Sequence, residues 1–303
     1  MPRPVPYRGR FAPSPTGPLH FGSLVAAVGS WLDARVHGGE WLLRMEDLDT
    51  PRIVPGAADD ILRTLEALGL TWDGPVVRQS QRHDAYHAAL HALKQAHRAY
   101  PCACSRKEIA DSGIAGIEGY VYPGTCRAGL PAGRAARAWR LDTRGSGVIG
   151  FDDAVQGRVG HDVEHAIGDF VLYRADGLTA YQLAVVVDDA EQGITDVVRG
   201  ADLIDSTPRQ LWLQQALGLP TPRYAHLPVA VNAAGEKLSK QTLAPAVVAR
   251  EGGRALAAAL AFLGHAPPRS MTPARPAELL SWGTAHWDRA RVPRARTQPT
   301  PPA

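Results

Sequence analysis

The sequence is poor in lysine and cysteine and has no long hydrophobic run. Of 33 basic residues only four are lysines, namely Lys94, Lys107, Lys237 and Lys240. The three cysteines are an odd number, which argues against the paired disulfides of a secreted protein. There is neither an apolar stretch long enough to span a bilayer nor a charged-then-apolar leader. We therefore expect a cytoplasmic protein without membrane contact.

The net charge of the chain is small. A net charge of +3 is too small to indicate nucleic-acid binding, although it is compatible with a local basic face. The chain has 303 residues, 45% of them hydrophobic, which is enough to bury one large domain or two unequal ones. Because lysine is scarce, a site that keeps one is expected to need a compact ammonium group rather than a planar guanidinium.

The N-terminal third alternates between strand and helix signals. The expected elements are a strand at 10–13, a helix at 22–35, a strand at 41–45 and a helix within 55–70. This order favours an α/β fold with a doubly wound parallel sheet.

The rest of the chain suggests an insertion followed by a return to the same fold. Glycine, proline and arginine increase between 100 and 168, and a turn signal at Asp176-Gly177 stands between two strand-like runs. A strand at 195–200, a helix at 206–219 and a strand at 226–232 follow. After about Pro245 we expect one alanine-rich helix and a disordered Pro/Arg tail at 291–303.

The corresponding domain organisation has four parts. These are 1–99 and 169–245 as two halves of a catalytic core, 100–168 as an inserted zinc-bearing subdomain, and 246–303 as a short helical region with the tail.

Two distant segments carry the clearest functional signals. The loop PSPTGPLHFGS joins a strand to a helix, which places His20 and Gly22 at the edge of the sheet where open α/β folds bind ligands. A helix N-terminus there offers N–H groups to phosphate, although an ordinary loop with a surface histidine is the simpler reading. Half of all the lysines lie in the late segment EKLSKQ, 236–241, which suggests a clamp on polyphosphate or else a solvated loop.

Together these segments resemble the HIGH and KMSKS motifs of class I aminoacyl-tRNA synthetases. RFAPSPTGPLHFGSL, LLRMEDLDTPR, WDGPVVRQSQR, VVRGADLIDSTPRQ and HLPVAVNAAGEKLSKQ resemble blocks of the glutamyl-tRNA synthetase family, in family order, over 10–241. The resemblance implies a Rossmann-type core and a reaction that joins L-glutamate to ATP before transfer to tRNA.

Glutamate brings two carboxylates and an ammonium group, so its pocket needs cations and an acid. Arg10 and Arg199 can each hold a carboxylate bidentately, and Glu46 can accept from the ammonium. The resemblance assigns glutamate binding to Arg10, Phe11, Ala12, Pro13, Ser14, Glu46, Tyr181 and Arg199. Salt bridges for the arginines and core packing for Tyr181 are the competing explanations.

The resemblance also implies the chemistry: a substrate carboxylate attacks the α-phosphate of Mg-ATP in line and releases pyrophosphate. His20 and Lys240 would be the catalytic residues. The residues implied in ATP binding are His20, Gly22, Ser23, Lys237, Ser239 and Lys240. Two positions depart from the family motifs, since Ser23 replaces the second histidine of HIGH and KMSKS becomes KLSKQ.

All three cysteines lie in one segment and suggest one structural zinc ion. Cys102, Cys104 and Cys126 supply three ligands, and structural zinc takes four. The nearby oxygen donors are Asp111, Glu118, Tyr120 and Tyr122. Resemblance to the Cys-x-Cys…Tyr-x-x-x-Cys pattern of one branch of the family implies Tyr122; a longer intervening loop leaves Tyr120 open. The alternative is three free thiols.

Only about sixty residues follow Gln241, too few for the helical anticodon-binding region of full glutamyl-tRNA synthetases. The chain therefore resembles a truncated branch of the family. That branch activates glutamate without tRNA and esterifies it onto queuosine at the wobble position of tRNA(Asp). Candidate RNA-phosphate contacts are Arg127, Arg134, Arg137, Arg140 and the tail, and a solvated surface is equally compatible with them. We expect a monomer.

Other functions are compatible with parts of the pattern. An ordinary synthetase would charge the 3′ end of tRNA(Glu), which the short C-terminal region disfavours. A nucleotidylyltransferase of the same superfamily would not need Glu46, Tyr181 and Arg199 together. A non-catalytic zinc-bearing RNA-binding protein would leave Lys237 and Lys240 without a purpose.

Overall fold

The computed structural model describes residues 6–232, 234–238, 245–271 and 274–300. The N-terminal elements are β1 (Arg8–Phe11), α1 (Phe21–Val36), β2 (Glu40–Met45), α2 (Ala57–Ala67) and β3 (Val77–Arg78). The three strands pair in parallel in the order β1-β2-β3, which confirms the strand–helix alternation expected from the sequence. Tight packing requires glycine between α1 and β2, because a Cβ on Gly39 would lie 2.4 Å from the carbonyl oxygen of Tyr7.

The middle of the chain builds mostly antiparallel structure. Its elements are α3 (His83–Gln95), β4 (Ala99–Cys102), α4 (Arg106–Ala110), β5 (Ala115–Gly116), β6 (Gly119–Tyr120), β7 (Ala138–Leu141), β8 (Val148–Asp153), β9 (Gly157–Asp162) and β10 (Val171–Tyr173). Strands β10, β7 and β4 form one antiparallel sheet, and β5 pairs with β6.

The later elements return to parallel pairing. They are α5 (Tyr181–Glu191), β11 (Asp196–Gly200), α6 (Thr207–Leu217), β12 (Arg223–Leu227), β13 (Val229–Val231), α7 (Gly252–Phe262), α8 (Pro276–His286) and β14 (Thr297–Pro299). Strands β11 and β12 are parallel, and β8 and β9 extend their sheet in the order β11-β12-β8-β9. The N–H of Thr195 donates to the carbonyl of Arg8 at 2.9 Å, so β11 begins beside β1. The protein is therefore an α/β structure.

Three expectations for the second half are wrong. The run after Asp176-Gly177 forms α5 rather than the second strand of a hairpin, because an apolar run rich in valine does not by itself distinguish a strand from a buried helix. Most of the tail is ordered instead of disordered: β14 pairs in parallel with β13. In the described part of the chain two helices, α7 and α8, follow residue 245 where one was expected.

Buried polar contacts explain why the C-terminal segment is ordered. Asp33 of α1 is 1% exposed and accepts hydrogen bonds from Trp287 Nε1 at 3.0 Å and Arg289 Nη2 at 2.5 Å. Burial raises the pKa of Asp33, but the bonds from Arg289 outweigh it and hold that pKa below its usual value. The segment after α8 is thus tied to the first helix by an ion pair that the sequence pattern did not reveal.

The hydrophobic core has two main parts. One surrounds α1 and β2 and includes residues of α7 and α8; the other lies among α3, α5 and α6. A cavity at the ends of β1, β2, β11 and β12 is lined by residues within 10–52 and 181–238, because the strands that carry them lie side by side.

Candidate active site

A cavity of about 560 Å³ lies where β1, β2, β11 and β12 end. Its wall is formed by the loop after β1, the first turn of α1, Glu46 after β2, Tyr181 at the start of α5, and residues 198–203 and 227–230. Parallel strands present their carboxyl ends on one edge, so a site built from four strand ends can surround a ligand with side chains from distant segments.

The predicted glutamate- and ATP-binding residues that the structure describes all line this cavity. They are Arg10, Phe11, Ala12, Pro13, Ser14, His20, Gly22, Ser23, Glu46, Tyr181, Arg199 and Lys237. Ser239 and Lys240 lie outside the described residues. The roles of the predicted residues in binding glutamate or ATP stay predictions, but the described ones surround a single cavity.

His20 stands directly before α1 and caps it. Its Nδ1 accepts a hydrogen bond from the N–H of Ser23 at 3.3 Å, and its Nε2 lies 3.0 Å from Ser23 Oγ. Ser23, which stands where the HIGH motif has its second histidine, therefore contacts His20, which stands at the first. The first turn of α1 carries no acidic side chain, which leaves the positive end of a 16-residue helix facing the cavity.

The loop that carries His20 is contacted by Leu238, in the late lysine-bearing segment, and by Ala246 and Val247, after that segment. A Cβ on Gly22 would lie 3.5 Å from the carbonyl oxygen of Leu238. Beyond the segment, Ala246 forms an isolated antiparallel bridge with His20, and the N–H of Val247 donates to the carbonyl of Leu19 at 2.8 Å. The described part of the second motif, Lys237 and Leu238, thus lies next to the His20 loop although the two are far apart in sequence.

Arg10 is held differently from what the sequence suggested. Its Nε and Nη2 donate to the two carboxylate oxygens of Asp189 at 3.1 and 3.3 Å. One edge of the guanidinium is therefore taken by α5, and Arg10 offers a ligand its Nη1 side. Burial raises the pKa of Asp189, but Arg10 and Arg44 more than offset this and hold it below the usual value.

Glu46 lies at the acidic end of the same network. Arg44, fully buried in β2, reaches Asp189 Oδ1 at 2.8 Å and Glu46 Oε1 at 3.4 Å through its Nη2. Burial raises the pKa of Glu46, and the guanidinium groups of Arg44 and Arg10 oppose that shift. A carboxylate that loses solvation and keeps only a long contact to arginine is suited to accept hydrogen bonds from an ammonium group.

Arg199 lines the cavity and has one donor atom that the described residues leave without an acceptor. Its Nη2 donates to Thr207 Oγ1 and Gln210 Oε1, both at 2.8 Å, while Nη1 is buried without a hydrogen-bond partner among the described residues. An unsatisfied buried donor is costly, so a ligand oxygen at Nη1 would be strongly favoured. Tyr181 lines the same cavity, and burial raises the pKa of its phenol to about 12, which keeps it a hydrogen-bond donor.

Sequence reasoning missed the residues that hold these groups. Asp189 and Arg44 lie in runs that were interpreted as apolar elements. A charged residue within such a run was the one signal that could have indicated a buried ion pair. Asp202 was also missed; it accepts from Lys237 Nζ at 2.5 Å, and both residues line the cavity.

The cysteines form a compact cluster that fits zinc. The three Sγ atoms lie within 4.8 Å of one another, and Cys104 Sγ is 3.7 Å from Cys126 Sγ. Tetrahedral zinc with Zn–S bonds of about 2.3 Å separates its sulfur ligands by about 3.8 Å. Tyr122 Oη lies 3.4 Å from Cys102 Sγ and 3.6 Å from Cys104 Sγ, whereas the side chain of Tyr120 is exposed.

Most of the candidate RNA-binding arginines of the inserted segment have internal partners. Arg127 forms a bidentate pair with Asp169, Arg134 pairs with Glu108, and the buried Arg140 donates to the carbonyl of Asp169. Arg137 is exposed, and within the described ranges its guanidinium has no ion-pair partner. The four arginines are therefore not equivalent as phosphate contacts.

No helix in the described residues is both long and apolar enough to cross a membrane.

Comparison with known proteins gives a consistent result. The family described as tRNA synthetases class I (E and Q), catalytic domain, matches residues 6–263. The chain is 65% identical over 291 residues to a glutamyl-Q tRNA(Asp) synthetase of Dechloromonas aromatica, which covers 95% of this chain and 96% of that protein. A glutamyl-Q tRNA(Asp) synthetase of Chromobacterium violaceum is 63% identical over 287 residues, 95% of each chain.

A solved structure supports the same fold. The chain is similar to a glutamate tRNA ligase of Elizabethkingia meningosepticum crystallised with its amino acid, with a TM-score of 0.79 and 27% identity. The match covers 98% of this chain and 67% of that one. The catalytic fold of class I synthetases is thereby shown.

Proposed function

The chain belongs to the class I tRNA synthetase family, in its glutamyl-Q tRNA(Asp) synthetase branch, and from this we propose how its cavity works. The protein activates L-glutamate with ATP and transfers the glutamyl group to queuosine in tRNA(Asp). One observation carries the proposal for the site: a single cavity is lined by Arg199, whose buried Nη1 has no hydrogen-bond partner among the described residues, by Glu46 and by the first turn of α1. We further propose a Rossmann-type doubly wound core, with β1 between β2 and β11.

Glutamate fits the charge pattern of the wall. Arg199 and the Nη1 side of Arg10 would hold carboxylates, Glu46 would accept from the ammonium, and the Tyr181 hydroxyl would donate to an oxygen. Asp189 and Arg44 lie behind these groups and fix their positions. The arrangement orients the amino acid from several sides, which converts its reaction with ATP into a positioned encounter.

ATP would lie on the other side of the cavity, against Gly22 and the start of α1. The helix N-terminus and His20 would steady the α-phosphate, and Lys237 with Lys240 would neutralise the departing pyrophosphate. Magnesium bound to ATP supplies additional neutralisation of phosphate charge. The substrate carboxylate is itself the nucleophile, so the protein contributes positioning and electrostatics and forms no covalent bond.

The direct test has two parts. Purified protein with glutamate, ATP and magnesium should exchange labelled pyrophosphate into ATP without any tRNA. Labelled glutamate should then be incorporated into tRNA(Asp) that carries queuosine and not into queuosine-free tRNA(Asp). Prior periodate oxidation of the queuosine diol should abolish incorporation. Incorporation at the 3′ end of tRNA(Glu) instead would contradict the proposal.

We propose that Cys102, Cys104, Tyr122 and Cys126 hold one structural zinc ion, which ties β4 to the loop before β7. Zinc bound by thiolates supplies folding free energy and no chemistry at the cavity. The N–H of Cys126 donates to Tyr122 Oη at 2.9 Å, which already orients that oxygen toward the sulfur atoms.

Tyr122→Phe is expected to lower zinc affinity by at least about tenfold, because it deletes an oxygen next to two sulfur ligands. Tyr120→Phe is the matched control, since Tyr120 is 56% exposed and should leave zinc affinity unchanged. Zinc retained per chain against increasing concentrations of a competing chelator measures both. Equal retention in the two variants would remove Tyr122 from the ligand set.

RNA contacts are proposed around a second cavity of about 300 Å³ beside the cysteine cluster. Its lining includes Arg106, Arg137, Arg140 and Arg174. Arg174 pairs with Asp176, and Arg140 is buried, but Arg106 and Arg137 are exposed and lack ion-pair partners within the described ranges. Two unpaired guanidinium groups at one cavity suit the phosphates of an RNA backbone.

The double variant Arg106→Ala/Arg137→Ala is expected to raise KM for tRNA about tenfold. The slope of log binding constant against log salt concentration should become less steep by about 0.7–0.9 for each lost phosphate contact. Pyrophosphate exchange should not change. Arg63→Ala/Arg158→Ala removes two exposed arginines elsewhere and should leave the tRNA KM unaltered. If both double variants behave alike, the second cavity is not an RNA contact.

A further inference from the structure

A buried chain of hydrogen bonds runs behind Arg199. Asp153, at the end of β8, accepts from His226 Nδ1 at 2.6 Å, and His226 Nε2 lies 3.0 Å from Arg199 Nε. His226 and Arg199 are partners across the parallel pair of β12 and β11. All three residues are 5% exposed or less, so these hydrogen bonds lie in the interior, and of the three residues Arg199 alone lines the cavity.

The neighbours of His226 determine where its proton lies. A guanidinium group can only donate, so Nε2 must be the acceptor for Arg199 Nε–H. A carboxylate can only accept, so Nδ1 must carry the proton that is shared with Asp153. Burial lowers the pKa of His226 to about 4, consistent with a neutral ring. Both contacts therefore require the same tautomer.

Asp153 is in turn fixed by backbone donors. Its Oδ1 accepts from the N–H groups of Val155, Gln156 and His226 at 3.0, 2.8 and 3.1 Å. Burial raises the pKa of Asp153, but its hydrogen bonds, led by the one from His226, hold that pKa below its usual value. The carboxylate thus has one oxygen bound to the chain and the other directed at the imidazole.

Arg199 differs from Arg10 in the groups that contact its guanidinium. Arg10 forms a direct bidentate ion pair with Asp189. Arg199 is held by His226, Thr207 and Gln210, all neutral acceptors, and no carboxylate lies within ion-pair distance of it in the part of the chain that the structure describes. The carboxylate of Asp153 contacts the imidazole and not the guanidinium, so Arg199 is oriented without a direct ion pair.

We propose that His226, held in its Nδ1–H tautomer by Asp153, is a positioning residue that directs Arg199 into the cavity and leaves its positive charge for a substrate carboxylate. The inference rests on the proposed glutamate site. His226 has no exposed surface and lines no part of the cavity, so it acts through Arg199 and not on the substrate.

Two variants separate the two hydrogen bonds. In His226→Asn the amide nitrogen can replace Nδ1 as donor to Asp153, but the side chain is too short to reach Arg199. In His226→Gln the amide oxygen can replace Nε2 as acceptor for Arg199, and the bond to Asp153 is lost. Both lose the ring and one hydrogen bond, so a purely structural role predicts similar defects.

The proposal predicts different defects. His226→Asn should raise KM for glutamate in pyrophosphate exchange by about tenfold or more, with KM for ATP changed less than about twofold. His226→Gln should restore most of the glutamate KM. Equal glutamate KM values in the two variants, at equal folded fractions, would overturn the proposal.

A spectroscopic measurement tests the tautomer without using activity. In ¹⁵N-histidine-labelled protein, the His226 signal, assigned by its absence in His226→Gln, should show protonated Nδ1 and bare Nε2. Asp153→Asn should abolish this preference and give a mixture of tautomers, because its amide oxygen is needed by the three backbone N–H groups and its nitrogen then faces Nδ1, while Nε2 still faces the Arg199 donor. Protonated Nε2 in the unaltered protein would overturn the proposal. Failure of the unaltered protein to exchange pyrophosphate would instead contradict the proposed function.

Discussion

Replacing Arg199 by lysine is expected to lower kcat/KM for glutamate in pyrophosphate exchange by about a hundredfold or more. The guanidinium uses its Nε and Nη2 atoms to bind four acceptors and leaves Nη1 for the ligand. An ammonium group keeps the charge but cannot reach those acceptors and the substrate at the same time. The loss should fall mainly on glutamate, while KM for ATP stays near its original value.

The matched control is Arg223→Lys. Arg223 belongs to the same pair of strands, at the end away from the cavity, and also uses its fork, forming two hydrogen bonds with Asp196 at 2.8 and 2.7 Å. Its side chain is 65% exposed, so losing that fork should cost little. A comparable loss of kcat/KM in both variants, or a change of less than threefold in Arg199→Lys, would show that Arg199 does not hold glutamate.

The local parts of this site could be predicted from the sequence. The loop that carries His20, the helix after it and the strand that ends before Glu46 are short-range patterns, and the structure confirms α1, β1 and β2 close to their expected positions. Motif resemblance then selected residues that the structure places around one cavity. Periodicity and resemblance work here because each depends on neighbouring residues.

The partners of those residues could not be predicted in the same way. Arg10 and Asp189 are 179 positions apart, and Asp153 and His226 are 73 apart. No local pattern indicates which of many acids will face a given arginine. Two arginines that looked equivalent in sequence therefore turn out to be different: one is ion-paired, and the other is held by neutral groups.

Misassigned elements have a similar cause. In α5 the residues Val185, Val186 and Val187 favour a strand locally, yet the segment packs as a helix among α3 and α6 because its faces are buried on several sides. The Pro/Arg tail looked unable to fold because its composition is polar, but Trp287 and Arg289, just before it, find a buried carboxylate in α1. Tertiary contacts therefore determined the structure of both segments.

Lys240→Ala is expected to slow glutamyl-adenylate formation by about a hundredfold or more, the usual cost of deleting one donor that meets charge developing in the transition state. The reason is the departing pyrophosphate, whose charge rises as its bond to the α-phosphate breaks. Leu238, within the KLSKQ segment, and Ala246, after it, adjoin the His20 loop, which is where that charge would develop.

Two other lysines calibrate the measurement, made as the rate of pyrophosphate exchange at saturating glutamate and ATP. Lys237 already has an acidic partner, Asp202, so Lys237→Ala should have a smaller effect than Lys240→Ala. Lys107, an exposed lysine of α4 in the inserted segment, should be replaceable by alanine without loss. An unchanged exchange rate in Lys240→Ala would remove that residue from the chemistry and leave the α1 N-terminus and Lys237 to bind the phosphates alone.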